Sequence, residues 1–128
     1  MEVKRITPIL LVDAIEPALP FWIERLGFTK TTEVPEADHL GFVILEKAGH
    51  EVMYQTMQSV EADVPSVAAS TPKQGSVLFI EVSDIDAIER ALDGFEVVVP
   101  RRKTFYGADE LFVREPGGHI VGFAQFGG

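Results

Sequence analysis

Val12-Asp13-Ala14-Ile15 and Val82-Ser83-Asp84-Ile85 hold the same place in two copies of one pattern, each closing a short apolar strand and opening a helical stretch. Aligning Val12 with Val82 sets the copies 70 residues apart (82 minus 12). A second match, Glu46-Lys47-Ala48-Gly49-His50 against Glu115-Pro116-Gly117-Gly118-His119, runs at 69 (119 minus 50). A repeat decides architecture before any propensity does.

Helical spacing follows each strand, over Glu16 to Leu26 with Ile15, Ala18, Leu19 and Trp22 on one side, and over Asp86 to Leu92 with Ile85, Ile88 and Leu92. Pro17 suits a first turn, and Gly27 and Gly94 end the two stretches, each followed by a phenylalanine that starts a strand. The second matched segments lie between β-like runs, Phe42 to Leu45 with Val52 to Gln55, and Leu111 to Arg114 with Ile120 to Phe126, so each predicts a hairpin turn. The expected fold is therefore α+β, two tandem βαβββ modules in one domain over 1–128. Module one covers about 1–57 and module two about 76–128. A linker of about 58–75, with Pro65, Pro72, several serines and no clear periodicity, joins them. Its length lets a module dock within its own chain or on a second one.

With 128 residues and 46% hydrophobic content the chain can bury one core. It has no cysteine, which removes disulfides, thiolate metal sites and cysteine nucleophiles. The apolar run from Ile6 to Val12 is too short for a secretory h-region or a membrane span, so a cytoplasmic protein without a membrane partner is expected. A net charge of -9 repels nucleic acid, and no nucleic-acid partner is expected. No glycine-rich phosphate loop and no nucleophile elbow is present.

Pro8-Ile-Leu-Leu-Val12, Phe21-Trp22-Ile-Glu-Arg-Leu-Gly-Phe28, Tyr106-Gly107 and Phe112-Val-Arg-Glu-Pro-Gly-Gly-His119 together resemble the vicinal oxygen chelate superfamily of glyoxalases, extradiol dioxygenases, epimerases and bleomycin-resistance proteins. The resemblance implies a half-open mixed β-barrel cup between the modules with the helices outside. In metal-dependent members each module supplies a ligand at the start of its first strand and another in its last strand. Those positions fall here on Thr7, Met53, Val77 and Gly122, none of which offers an imidazole or carboxylate. No metal and no other cofactor is expected. A two-residue slip would bring in Glu51 or Gln55 for Met53 and Ala124 for Gly122, and a larger slip Glu81 for Val77, still without a histidine. His39, His50 and His119 are expected at the surface.

Strand alternation places Thr7, Ile9 and Leu11 on one face, and by the repeat Val77, Phe79 and Glu81. The last strands add Glu51, Met53 and Gln55, then Ile120, Gly122 and Ala124. The ligand-binding candidates are thus Thr7, Met53, Gln55, Val77, Phe79 and Glu81, with Phe112, Arg114 and Gly122 from the second module and Tyr106 from a loop beside Phe105. Glu81 and Arg114 also allow a plain structural reading, as an ion pair at the rim or as side chains that point to solvent. Glu81 and Glu51 are the catalytic candidates, with Glu110 a further carboxylate. The leading expectation is a metal-independent binder of a small organic molecule, like the bleomycin-resistance branch. The alternative is a glyoxalase-, isomerase- or lyase-like enzyme using a carboxylate, and a third is an interaction domain with a self-filled cup. A two-fold homodimer is expected from the resemblance and from the commonness of that symmetry.

Overall fold

Each copy of the repeat folds as one strand, a helical crossover and three antiparallel strands. The structure is a computed structural model that describes residues 1–72 and 75–127; Lys73 and Gln74, inside the expected linker, and Gly128 lie outside the described residues. Two compact units result, Met1–Gln74 and Gly75–Gly128.

The first unit contains β1 (Ile9–Val12), β2 (Thr29–Glu36), β3 (His39–Lys47) and β4 (His50–Thr56). They form a sheet of order β1-β4-β3-β2, with β1 parallel to β4 and the other pairs antiparallel. Leu10, Tyr54 and Val43 are in register across three strands, Leu45 faces Val52, and all five are buried. Ile15, Ala18, Phe21 and Trp22 from the crossover are buried with them. The Trp22 indole Nε1–H donates to the Tyr54 hydroxyl at 2.8 Å, so each large ring buries its polar end on the other.

The crossover departs from the α-helix expected over Glu16 to Leu26. It is a 3-10 turn over Glu16–Ala18 followed by a π-helical turn over Pro20–Arg25. Pro20 has no N–H to give the Glu16 carbonyl, and Leu19 N–H bonds that carbonyl instead, so the ladder tightens and then reopens with a wider pitch. Gly27, at φ +77, ends the stretch, and Lys47 Nζ donates to the Leu26 carbonyl at 2.5 Å. Two short helices follow β4, α1 (Met57–Asp63) and α2 (Pro65–Ser70), within the span read from sequence as a linker. The Thr56 hydroxyl accepts from Ser59 N–H at 3.1 Å to cap α1.

The second unit contains β5 (Val77–Glu81), α3 (Ile85–Ala91), β6 (Glu96–Lys103), β7 (Ala108–Arg114) and β8 (Ile120–Phe126). Its sheet order, β5-β8-β7-β6 with β5 parallel to β8, repeats that of the first. Asp84 caps α3 by accepting from Ala87 N–H at 3.1 Å, and the Gln125 side chain takes Ile85 N–H at 2.9 Å. Arg101 spans the same helix and sheet. Its guanidinium donates to both carboxylate oxygens of Asp109, at 2.9 and 2.8 Å, and to Asp86 and Glu89 of α3, each at 2.9 Å. The Arg101 hydrogen bonds hold the Asp109 carboxyl down to about 2.

The two matched turns use their glutamates alike. Glu46 Oε1 accepts from Gly49 N–H at 2.7 Å, and Glu115 Oε1 accepts from His119 N–H at 2.5 Å. The second turn corrects one expectation: His119 is buried together with Glu115, whereas His50 is exposed and His39 is half-buried between Asp38 and Glu36. The Glu115 carboxylate draws the backbone of His119 inward, an interaction that no strand pattern encodes. Among the described residues no helix is long and apolar enough to cross a membrane.

Tyr54→Phe leaves the buried Trp22 N–H without its acceptor and should cost about 1–3 kcal/mol in urea unfolding. Unchanged stability would show that the indole finds another acceptor.

Candidate functional site

In the second unit, Leu111, Val113, Val121 and Phe123 are buried on the side of the sheet that carries α3. The alternate residues form the opposite face, and the register sets them out in rows. One row runs Val77, Ile120, Arg114, Glu96; the next runs Phe79, Gly122, Phe112, Val99; the third runs Glu81, Ala124, Glu110, Arg102. Val77, Phe79, Glu81 and Gly122 therefore share one face, as strand alternation implied, and Phe112 and Arg114 lie on it with them.

Its centre is aromatic. Phe79 lies with ring centroids 6.4 Å from Phe112 and 6.4 Å from Phe126, and Phe126 is 6.3 Å from Tyr106. Large rings remain open to solvent here: Phe79 is 52% exposed, Tyr106 46%, Phe126 40%, and Phe105 is fully exposed at the tip of the β6–β7 turn. Exposed apolar area concentrated in this way marks a binding surface more often than scattered residues do.

The charges on this face are distributed unevenly. Glu110 is buried, accepts from the Arg102 guanidinium at 2.9 and 3.1 Å, and accepts from the Tyr106 hydroxyl. That bond to Glu110 raises the Tyr106 phenol above its ordinary value. Arg114 donates to Glu96 at 3.3 Å and to the Gly118 carbonyl at 3.1 Å, so its ion pair is with Glu96 rather than Glu81. Glu81 stands exposed at the end of β5.

In the first unit Thr7 is half-buried just ahead of β1, and Met53 N–H donates to the neighbouring Pro8 carbonyl at 2.9 Å. Glu51, Met53 and Gln55 alternate on the half-buried side of β4. Glu51 is engaged by Arg5 at 3.1 Å, and the Gln55 amide donates to Ser59 at 3.0 Å. Arg102, Phe126 and the burial of Glu110 were missed by sequence reasoning. Arg102 and Tyr106 meet Glu110 through an irregular strand and a turn, which no periodicity signals.

The positions where a metal would be held by related proteins do not suit one. Thr7 and Met53 offer a hydroxyl and a thioether, and Val77 offers no donor. Gly122 has no room for a donor, since a Cβ there would meet Phe112 Cε2 at 2.4 Å. Among the described residues no group of three or more His, Cys, Asp or Glu could hold a metal ion. A cleft of about 460 Å³ opens elsewhere in this unit, near Asp86, Lys103, Thr104 and Gln125, where Lys103 and Asp109 pair at 3.4 Å.

Gly122→Ala forces the Phe112 ring to move and should destabilise by about 1–3 kcal/mol. Combined with Phe112→Leu, the same change should cost less than it does alone. Equal costs in both backgrounds, read from chemical denaturation, would show that the contact does not limit residue 122.

The family model described as the glyoxalase/bleomycin resistance protein/dioxygenase superfamily matches residues 3–123. No curated protein matches the chain. Among solved structures, TioX from Micromonospora sp. ML1 is 18% identical with a TM-score of 0.78, covering 97% of this chain and 99% of that one. TnmS3, an antibiotic binding protein from Streptomyces sp. CB03234, is 19% identical with a TM-score of 0.65, covering 99% and 100%. A lactoylglutathione lyase from Agrobacterium tumefaciens is 16% identical with a TM-score of 0.73, covering 97% and 95%. At these identities the three share the fold. The family match spans nearly the whole chain, which belongs to the glyoxalase/bleomycin resistance protein/dioxygenase superfamily.

Proposed function

We propose that this chain binds a small organic molecule without a resident metal, in the manner suggested by the antibiotic-binding protein that shares its fold. The observation that carries this reading is the exposed aromatic face of the second sheet, with Phe79, Phe126 and Tyr106 around a glycine, Gly122, that is covered by the Phe112 ring. Convergent apolar rings with a few polar groups are the usual chemistry of small-molecule recognition. The donor set at Thr7, Met53, Val77 and Gly122 supports the metal-free part.

A second reading, a glyoxalase-, isomerase- or lyase-like enzyme, rests on Glu110, a buried carboxylate hydrogen-bonded to the Tyr106 phenol. Such a pair could pass a proton to or from a ligand. Turnover of the hemithioacetal of methylglyoxal and glutathione that Glu110→Gln abolishes, with the fold intact, would select this reading. Absence of turnover rejects glyoxalase chemistry.

The binding reading is tested by thermal shift on protein dialysed against EDTA, with a panel of aromatic antibiotics. A ligand at a hundredfold excess over its dissociation constant stabilises by about 2.7 kcal/mol, which is roughly 10 °C for a chain of this size. At least one compound should give such a shift without added metal, and Phe79→Ala should remove it. No shift with any compound, or shifts that need a divalent ion, would overturn the proposal.

A further inference from the structure

We propose that the aromatic face of the second sheet selects flat organic cations, with Phe79 as the ring they lie against and Glu81 as the carboxylate that meets their charge. The inference rests on the binding role above and names the ligand class.

Phe79 and Glu81 are two residues apart on β5, so their side chains leave the same face about 7 Å from each other. Both are exposed. An aromatic face beside a carboxylate is the pairing that a conjugated cation satisfies at both ends, through ring stacking or cation–π contact and through charge. The floor next to them is low, because the β8 residues in register with Phe79 and Glu81 are Gly122 and Ala124. The Phe112 ring fills the space above Gly122, so the surface beside Phe79 is an apolar ring rather than open backbone. Phe126 and Tyr106 extend that apolar surface along the sheet.

Electrostatics gives the sign. In these three rows the formal positive charges are Arg114 and Arg102, and both lie toward the β6 side of the sheet. Arg114 is held by Glu96 and Arg102 by Glu110. Among the described residues no cation pairs with Glu81 within 4.0 Å, and its neighbours in the rows, Phe79, Gly122 and Ala124, bring no positive charge to the β5 side of the face. A net charge of -9 on the chain adds a field that draws cations and repels anions.

The test compares three tricyclic probes of similar outline at neutral pH: proflavine, which is cationic; phenazine, which is neutral; and anthracene-2-sulfonate, which is anionic. Fluorescence and calorimetric titration should show proflavine binding about tenfold tighter than phenazine, with the sulfonate weakest. Glu81→Gln should bring proflavine to the level of phenazine and leave phenazine unchanged, whereas Phe79→Leu should weaken both. Added salt should narrow the gap between the two. Equal binding of cation and neutral probe, or a ratio that Glu81→Gln does not change, overturns the charge selection while leaving the binding role intact. If none of the probes binds but antibiotics still shift the melting temperature, the face is not a platform for flat rings, and the inference fails separately from the binding reading. A second copy of the chain could occupy the same face. It would appear in light scattering as a dimer that Phe79→Asp dissolves and that excludes all three probes, and that result also overturns the inference.

Discussion

Both sheets depend on the parallel pairing of their first and last strands, β1 with β4 and β5 with β8. Parallel neighbours cannot be joined by a tight turn, so the chain must leave the sheet and return, and the crossover has to lie over one face. In the first unit that crossover brings Phe21 and Trp22 into burial, and in the second it brings Ile85 and Leu92. The opposite face receives no helix from this connection. The candidate site occupies that opposite face in the second unit, so its position follows from the connectivity.

The register turns this division into chemistry. Because side chains alternate, the residues that pack under α3 and those on the aromatic face come from the same short strands. Phe112 sits between Leu111 and Val113, and Gly122 between Val121 and Phe123, where both pairs of neighbours are buried. The core anchors the strands tightly, and the positions between can vary without loss of the fold. Low identity to structures with the same architecture fits that freedom.

Much of the fold was legible because it rests on local signals repeated twice. The offset between Val12 and Val82, the glycines that end the crossovers and the alternation on β4 and β5 all survive without knowledge of long-range contacts. The features that sequence reading missed were those fixed by a distant partner. Pro20 was visible, but its effect of splitting the crossover into a 3-10 and a π turn depends on which carbonyl loses its donor. His119 resembled His50, yet the Glu115 carboxylate draws it into burial. Of the candidate site, the face shared by Val77, Phe79 and Glu81 was readable, whereas the engagement of Arg114 by Glu96 and of Glu110 by Arg102 required the register of β6, which contains two irregularities.

The packing of Trp22 has an optical consequence. It is the single tryptophan of the chain and lies buried in the first unit, with its indole N–H on the Tyr54 hydroxyl. Tryptophan emission is therefore a private signal of the first unit, and the second unit, whose aromatic rings are phenylalanines and Tyr106, is nearly silent at those wavelengths. Far-ultraviolet circular dichroism reads both sheets. Superposition of the two signals during unfolding would mean that the units melt as one cooperative body, and separation would mean that each repeat carries its own stability.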